Sequence, residues 1–387
     1  MQTITSMLKN NVRQYGMIIA LVMIMALFQI LTGGILLKPL NITNIILQNS
    51  YILILAIGMV LVIITGHIDL SVGSIAAFIG AFAAILMVNM HVPFVAAVML
   101  SLLLGALIGA WQGFWVAYVK IPSFIVTLAG MLLFRGLTMV VLKGQSIAPF
   151  PGGFQKISSG FIPDFFGGKF LNIVTIVAGV LLTIIYILAQ IKERNTERKY
   201  QFEVTPLYFF IAKLIIISIV VNVFAYILAT YDGIPNILVL LFLLVLAYTF
   251  FTNKTVAGRH VYALGGNEKA AKLSGVKTKR VTFWVFVNMG VLSALCGLVF
   301  AARLNAATPK AGNLFELDAI AACFIGGASA YGGIGTVGGA IIGGLVMGVM
   351  NNGMSILGLG IDWQQAIKGM VLLLAVGFDI YNKNKSS

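Results

Sequence analysis

Apolar residues run through this chain in long blocks, with none of the short alternation of a soluble fold. The blocks fall near residues 17–37, 46–65, 71–90, 93–119, 123–142, 170–191, 207–229, 235–251, 281–302, 317–330, 336–354 and 363–380. A bilayer core asks for about 20 apolar residues per helix, so the pattern predicts an all-α, polytopic membrane bundle of about twelve spans. Residues 1–387 then form one domain. The block 317–330 is the short one. It follows Glu316 and Asp318 and ends in GGASAYGGIGTVGG, which fits either a short full span or a re-entrant helix. The first block, preceded by Lys9 and Arg13, is longer than a signal-peptide core and lacks an A-x-A-like cleavage site, so it is expected to remain as the first span.

The polar stretches between blocks orient the chain. Residues 252–280 hold seven Lys or Arg (Lys254, Arg259, Lys269, Lys272, Lys277, Lys279, Arg280) against the single acid Glu268. Four more bases lie within 192–199, and Lys383 and Lys385 end the chain. By the positive-inside rule these segments are cytoplasmic, and an even number of spans puts both termini there. The Gly/Pro-rich stretch 143–169 and residues 304–315 go to the other side, with Asp164, Asp232, Glu316, Asp318 and Asp362. Inside the basic island, Asn267 is suited to cap a short helix over 268–274, and Gly275 to end it in the left-handed conformation. A capped, cationic helix standing out from a membrane body predicts a surface for another protein.

Composition agrees with the pattern and removes one alternative. The chain is 60% hydrophobic and 9% charged, with a mean hydropathy of +1.03, where soluble domains carry about 25% charge. A net charge of +14 would suggest nucleic acid in a soluble protein. In a membrane protein the same excess sets topology and meets anionic lipid, so the bilayer is the expected partner and nucleic acid is not.

Glycine spacing adds a packing signal. Gly105, Gly109 and Gly113, then Gly335, Gly339 and Gly343, and Gly344 with Gly348 all recur at intervals of four, the pattern that lets helices approach closely in lipid. It predicts central helices; a subunit interface is the alternative. Polar residues inside the blocks, namely Asn49, Thr127, Asn288, Asn351, Asn352, Gln364 and Gln365, have two readings: interhelical hydrogen bonding, or the wall of a pathway for a hydroxylated solute.

Catalytic chemistry finds no support. No G-x-x-x-x-G-K-[ST] occurs, so any ATP that drives this chain is hydrolysed by another polypeptide. The GIGTVG at 333–338 matches a dinucleotide pattern but joins two membrane blocks instead of a strand and a helix. Cys296 and Cys323 lie in apolar blocks, and His67, His91 and His260 are scattered, which leaves no disulfide framework or metal set. Arg135 lies within a span, where an ionisable residue is a functional candidate; the alternative is that it only pairs with backbone carbonyls or snorkels. Asp69 reads as a cap for the block that follows it, and Glu316 and Asp318 as caps or as acids at an outer mouth. The other spans read as nearly free of charge, which argues against an ion-coupled carrier.

At this point long stretches become familiar. GHIDLSVGSIAAF, RHVYALGGNEKAAKLSGVKTKRV, ARLNAATPKAGNLFELDAIAACFIGGASAYGGIGTVGGAIIGGLVMGVMNNGMSILG and KGMVLLLAVGFDIYNK resemble the membrane subunits of bacterial binding-protein-dependent sugar importers of the ribose, xylose and multiple-monosaccharide type. The resemblance covers most of 45–160 and 235–382, and is closer to the xylose or multiple-sugar branch because a pair of spans is inserted at 170–230 into a ten-span core. It implies a homodimer in the cytoplasmic membrane, a cytoplasmic ATPase that supplies the ATP and Mg²⁺ chemistry, and a periplasmic or lipid-anchored sugar-binding protein, with no cofactor on this chain. It also makes Gly266, Asn267, Glu268, Lys269, Ala270, Ala271, Lys272, Leu273, Ser274 and Gly275 of the cytoplasmic loop 252–280 the helix that couples to the ATPase. The alternatives are a stand-alone secondary carrier, a related importer subunit for branched-chain amino acids or nucleosides, and a membrane scaffold.

Overall fold

The computed structural model describes residues 2–386 apart from Lys169 and Glu203, and describes the backbone alone along 2–15, at 375 and along 378–386. The expected cytoplasmic charges Lys9, Arg13, Lys383 and Lys385 therefore lie outside the described side chains. The described residues are helical throughout, with two isolated β-bridges, Ile147 to Ala307 and Phe161 to Pro235. In order the helices are α1 (Gln2–Leu31), α2 (Pro39–Ile64), α3 (Val72–Ala84), α4 (Phe94–Phe114), α5 (Ser123–Leu142), α6 (Gly152–Ser159), α7 (Ile173–Lys199) and α8 (Leu207–Ala229). Then come α9 (Asn236–Lys254), α10 (Val256–Gly266), α11 (Glu268–Leu273), α12 (Thr278–Leu304), α13 (Phe315–Ile325), α14 (Val337–Ile356) and α15 (Ile361–Ser386).

Among the described residues nine helices are long and apolar enough to cross a membrane: α2 to α5, α7 to α9, α12 and α14, with α3 continued by a π-helical turn to Asn89. The other three expected blocks differ. α1 contributes a shorter apolar part, Gly16–Leu31, and α15 opens on the polar sequence IDWQQ. The block 317–330 departs most. Its helix α13 has 11 residues, about 16 Å, against a hydrocarbon core of about 30 Å. Gly326 and Gly327 end it, and an irregular segment carries the chain onward until Thr336 caps α14 through the Gly339 amide.

Two nearly all-buried helices form the axis. α2 buries 19 of its 26 residues and crosses α12 where Gly58 meets Met289 and Leu292; a Cβ at Gly58 would lie 2.7 Å from the Met289 sulfur. The end of α2 and the start of α12 both adjoin α10, so the two axes run in opposite directions. Around them the partners are exchanged. α3 and α4 follow α2 in the chain but pack on α12, whereas α13 and α14 follow α12 but pack on α2. α5 then packs on α3, and α15 on α13. This is the internal pattern of an inverted repeat, α2–α5 against α12–α15.

The glycine runs are the contact surfaces of this exchange. A Cβ at Gly105 or Gly109 would come within 2.6 or 2.4 Å of the Gly290 or Phe286 carbonyl oxygen on α12, and one at Gly343 within 1.9 Å of the Ala322 oxygen on α13. Lipid tails are as apolar as leucine, so such backbone proximity, not burial from water, selects the partner. α14 is central, as its spacing predicts. α4 is central on its glycine face alone and exposes Met99, Leu103 and Leu107 on the other.

The stretch expected as an insertion, 170–230, is a hairpin of α7 and α8 packed chiefly on each other. α7 buries Thr175, Gly179 and Arg194, and α8 buries Ala225, Leu228 and Ala229; the rest of both is half-buried or exposed and rich in Ile, Val and Leu.

Candidate functional site: a capped, exposed helix and a buried polar belt

At the end of α2, α10 lies under the bundle. Thr255 caps it by accepting from the Gly258 amide, and Val261 and Leu264 turn into the core. Gly265 sits so close to the Ile64 carbonyl oxygen that a Cβ would come within 1.6 Å, and that oxygen also accepts from the Gly333 amide at 2.8 Å. Tyr262 donates to the Gly335 carbonyl at 2.8 Å. The loop is thus fastened to α2 and to the start of α14. Gly333 and Gly335 serve this backbone approach, with no strand beside them among the described residues.

α11 follows at once. Asn267 caps it, its side chain accepting from the Ala270 amide at 3.0 Å, and Gly275 turns the chain at φ +86. Ala271 alone is buried. Lys269 and Lys272 are exposed, and Leu273 is 90% exposed. An apolar side chain held out by a capped turn and flanked by cations is a docking surface in form. Glu268 bridges back to Lys120 at the end of the α4 segment, 3.3 Å away. His67, in the loop after α2, lies beside this pair. Burial holds its imidazole below the usual 6.5; Glu268 raises it and Lys120 lowers it further.

Deeper in the bundle, the loop between α12 and α13 dips inward. It begins beside Ile147 and Phe150 and ends with Gly312 against Gly73 at the start of α3. As a consequence α13 starts halfway along α2, and its two acids are buried, Glu316 6% and Asp318 5% exposed. Glu316 and Asp318, expected as caps or as acids at an outer mouth, are thus buried within the bundle, because the loop before them does not turn back at its surface.

Asp318 accepts from the Tyr51 hydroxyl and from Lys368 Nζ, both at 2.8 Å, and Tyr51 stacks on Phe315 at 3.9 Å. Arg135 of α5 donates to the carbonyls of Ala311 and Gly312 at 2.6 and 3.1 Å. A cation at a helix centre costs about 2.5–3.5 kcal/mol to insert, and two charge-assisted hydrogen bonds at about 1.5–3 kcal/mol each offset it. Glu316 lies near, its Oε2 without a hydrogen-bond partner among the described residues. Asp69 accepts from the Ser71 amide and hydroxyl, and Ser71 exchanges hydrogen bonds with Gln112, so the expected cap is part of a buried network. Each half of the repeat therefore sets acid at the head of its short helix and a cation on its last helix. The sequence reading took the remaining spans as nearly free of charge and missed Lys368. The signal was present, since a lysine inside the block 363–380 is the same kind of outlier as Arg135.

The polar residues considered for a pathway are dispersed. Asn352 exchanges two hydrogen bonds with Asn41, at 2.8 and 3.0 Å. Asn49 accepts from Asn351 at 3.5 Å, and Asn351 Oδ1 has no partner. Thr127 is buried against its own helix and the Ile68 carbonyl. Asn288 turns toward α9, where Tyr248 donates to it. Asn49, Asn351 and Asn352 come together between α2 and α14; Thr127 and Asn288 do not join them. Cys296 and Cys323 are buried and unpaired, and among the described residues no group of three or more His, Cys, Asp or Glu is arranged to hold a metal.

Comparison with known proteins agrees with this architecture. Residues 41–376 match the family model described as branched-chain amino acid transport system / permease component. The chain is 42% identical over 375 residues to the xylose transport system permease protein of Haemophilus influenzae, covering 97% of this chain and 98% of that one. It is 39% identical over 376 residues to the Escherichia coli K12 xylose transport system permease protein, with 97% and 94% covered, and 34% identical over 369 residues to the Bacillus subtilis ribose import permease protein, with 95% and 92% covered. No solved structure matches the chain.

Proposed function

This chain belongs to the family of transport permease components, and on that premise we propose that it passes a monosaccharide, xylose or a related pentose or hexose, across the membrane for an ATP-driven importer. The observation that carries the reading is end-to-end similarity, at 42% identity over 97% of this chain, to a xylose transport system permease protein. The sugar arrives from an extracytoplasmic binding protein, the work comes from a cytoplasmic ATPase, and a second copy of the chain completes the conduit.

In this reading the segment from Gly266 to Gly275 is the coupling helix, with Leu273 as its apolar anchor and Lys269 and Lys272 orienting the dock. α10, immediately before it, is fastened to Ile64 through Gly265 and to Gly335 through Tyr262, while α11 itself packs on α10 and α12, so α2, α12 and α14 are the first membrane helices to feel a push. α13 and the extended segment after it count together as one broken crossing. With α1 and α15 that makes twelve, a ten-span core plus the inserted pair, with both termini cytoplasmic. Asn351, with its spare acceptor, and the bonded Asn49 are the pathway candidates that remain available to sugar hydroxyls.

Reconstitution tests the proposal. Xylose uptake into proteoliposomes should require this chain, the ATPase and the binding protein together, and should stop when ATP is withheld. Uptake driven by a proton or sodium gradient without the ATPase would assign a secondary carrier instead.

A further inference from the structure

A cavity of about 710 Å³ lies beside the coupling segment, between the cytoplasmic halves of α9 and α12 and above α10. Its wall is mostly apolar, with Phe251 of α9 and Val281 and Trp284 of α12 prominent. Its rim carries Lys277, immediately before α12, and Arg280 in the first turn. No Asp or Glu lines it. Among the described residues the ion pairs are Lys120 with Glu268 and Lys368 with Asp318, so both rim cations are unpaired. The cavity opens sideways: Trp284 is 56% exposed on an otherwise largely buried helix, and the neighbouring face of α9 presents Leu246 and Phe250 outward. Tryptophan at such a position marks the boundary of hydrocarbon and headgroup.

We propose that this cavity holds one anionic phospholipid of the cytoplasmic leaflet, its phosphate between Lys277 and Arg280 and an acyl chain along Phe251, Val281 and Trp284. Charge and apolar wall are needed together for this assignment. A zwitterionic lipid would fill the wall and leave the cations poorly matched, whereas inorganic phosphate would meet the cations and leave the wall empty. A sugar would find Asn288 and Tyr248, whose mutual hydrogen bond already engages the Asn288 carbonyl oxygen. The occupant would brace α9, α10 and α12, the elements on either side of the coupling helix, and so tie transport to the charge of the inner leaflet.

The test uses the full-length protein in nanodiscs with Trp284 as its sole tryptophan, Trp111, Trp115 and Trp363 being changed to Phe. Phosphatidylglycerol and phosphatidylcholine carrying brominated acyl chains are compared as quenchers of Trp284. Stronger quenching by the anionic lipid is expected. K277Q/R280Q should cut the relative affinity for anionic over zwitterionic lipid by about thirtyfold, at about fivefold per cation near a membrane surface, and K277R/R280K should retain the preference, which separates loss of charge from loss of fold. Equal quenching by the two lipids would overturn the proposal, as would a preference that survives K277Q/R280Q or is lost in K277R/R280K. Displacement of the brominated lipid by inorganic phosphate alone, or by xylose, would equally reassign the cavity.

Discussion

Lys368 and Asp318 meet at 2.8 Å, with side chains 19% and 7% exposed, inside a bundle that offers little water to either. Removing one partner of such a buried pair leaves the other charge uncompensated, a loss of about 3–5 kcal/mol, whereas removing both costs much less. Lys368→Met should therefore lower the melting temperature in detergent markedly, and adding Asp318→Asn should restore most of it; equal melting for the single and double changes would show that the pair is not coupled. His67 allows a test by pH. Its imidazole titrates below 6.5 in the fold, so the fold favours the neutral ring and this stabilisation is present above pH 6.5 and lost as pH falls below it. Replacing His67 by Asn should flatten the pH dependence of thermal stability just below 6.5, measured against the parent protein. At the docking surface exposed charges contribute little to folding but orient association. Charge reversal at Lys269 and Lys272 should reduce both recovery of the ATPase on co-purification and sugar uptake, while insertion and monodispersity stay unchanged.

At the scale of elements, the contact of α13 with α14 depends on bare backbone. A Cβ at Gly343 would come within 1.9 Å of the Ala322 oxygen, and the listening neighbour is main chain, which cannot swing aside. Gly343→Val should spread the two helices, and should lower uptake and thermal stability together, while Gly338→Val, where no atom stands within 4 Å, should be tolerated. The α7 and α8 hairpin makes the opposite case. Its exposed Ile, Val and Leu suit lipid, so single cysteines along both helices should resist water-soluble thiol reagents in membranes; labelling at several positions along both would place the hairpin on an aqueous pathway.

At the scale of the whole molecule, hydropathy made the nine long apolar helices legible, because the bilayer demands long apolar blocks. The exchange of partners between α2–α5 and α12–α15 was not legible, because an apolar face toward lipid and one toward protein read alike. Glycine spacing was the partial exception and pointed to faces that do meet α12 and α13. The cap at Asn267 and the turn at Gly275 were legible because local backbone chemistry decides them. The dip after α12 was not, since the sequence 304–315 carries no mark that distinguishes a surface turn from one that enters the bundle. It is this dip that buries Glu316 and Asp318.

The exchanged packing also has a consequence in time. α3 leaves the ribosome early, yet the surface it needs, α12 around Gly297 and Ala301, is completed only at residue 304. At about 5–20 residues per second the gap amounts to roughly 10–50 s of synthesis. For that interval the first half of the repeat sits in the membrane with Arg135 still short of its carbonyl partners at Ala311 and Gly312. A nascent chain of this design waits half-assembled for its second half, and is exposed to quality-control proteases until α12 arrives.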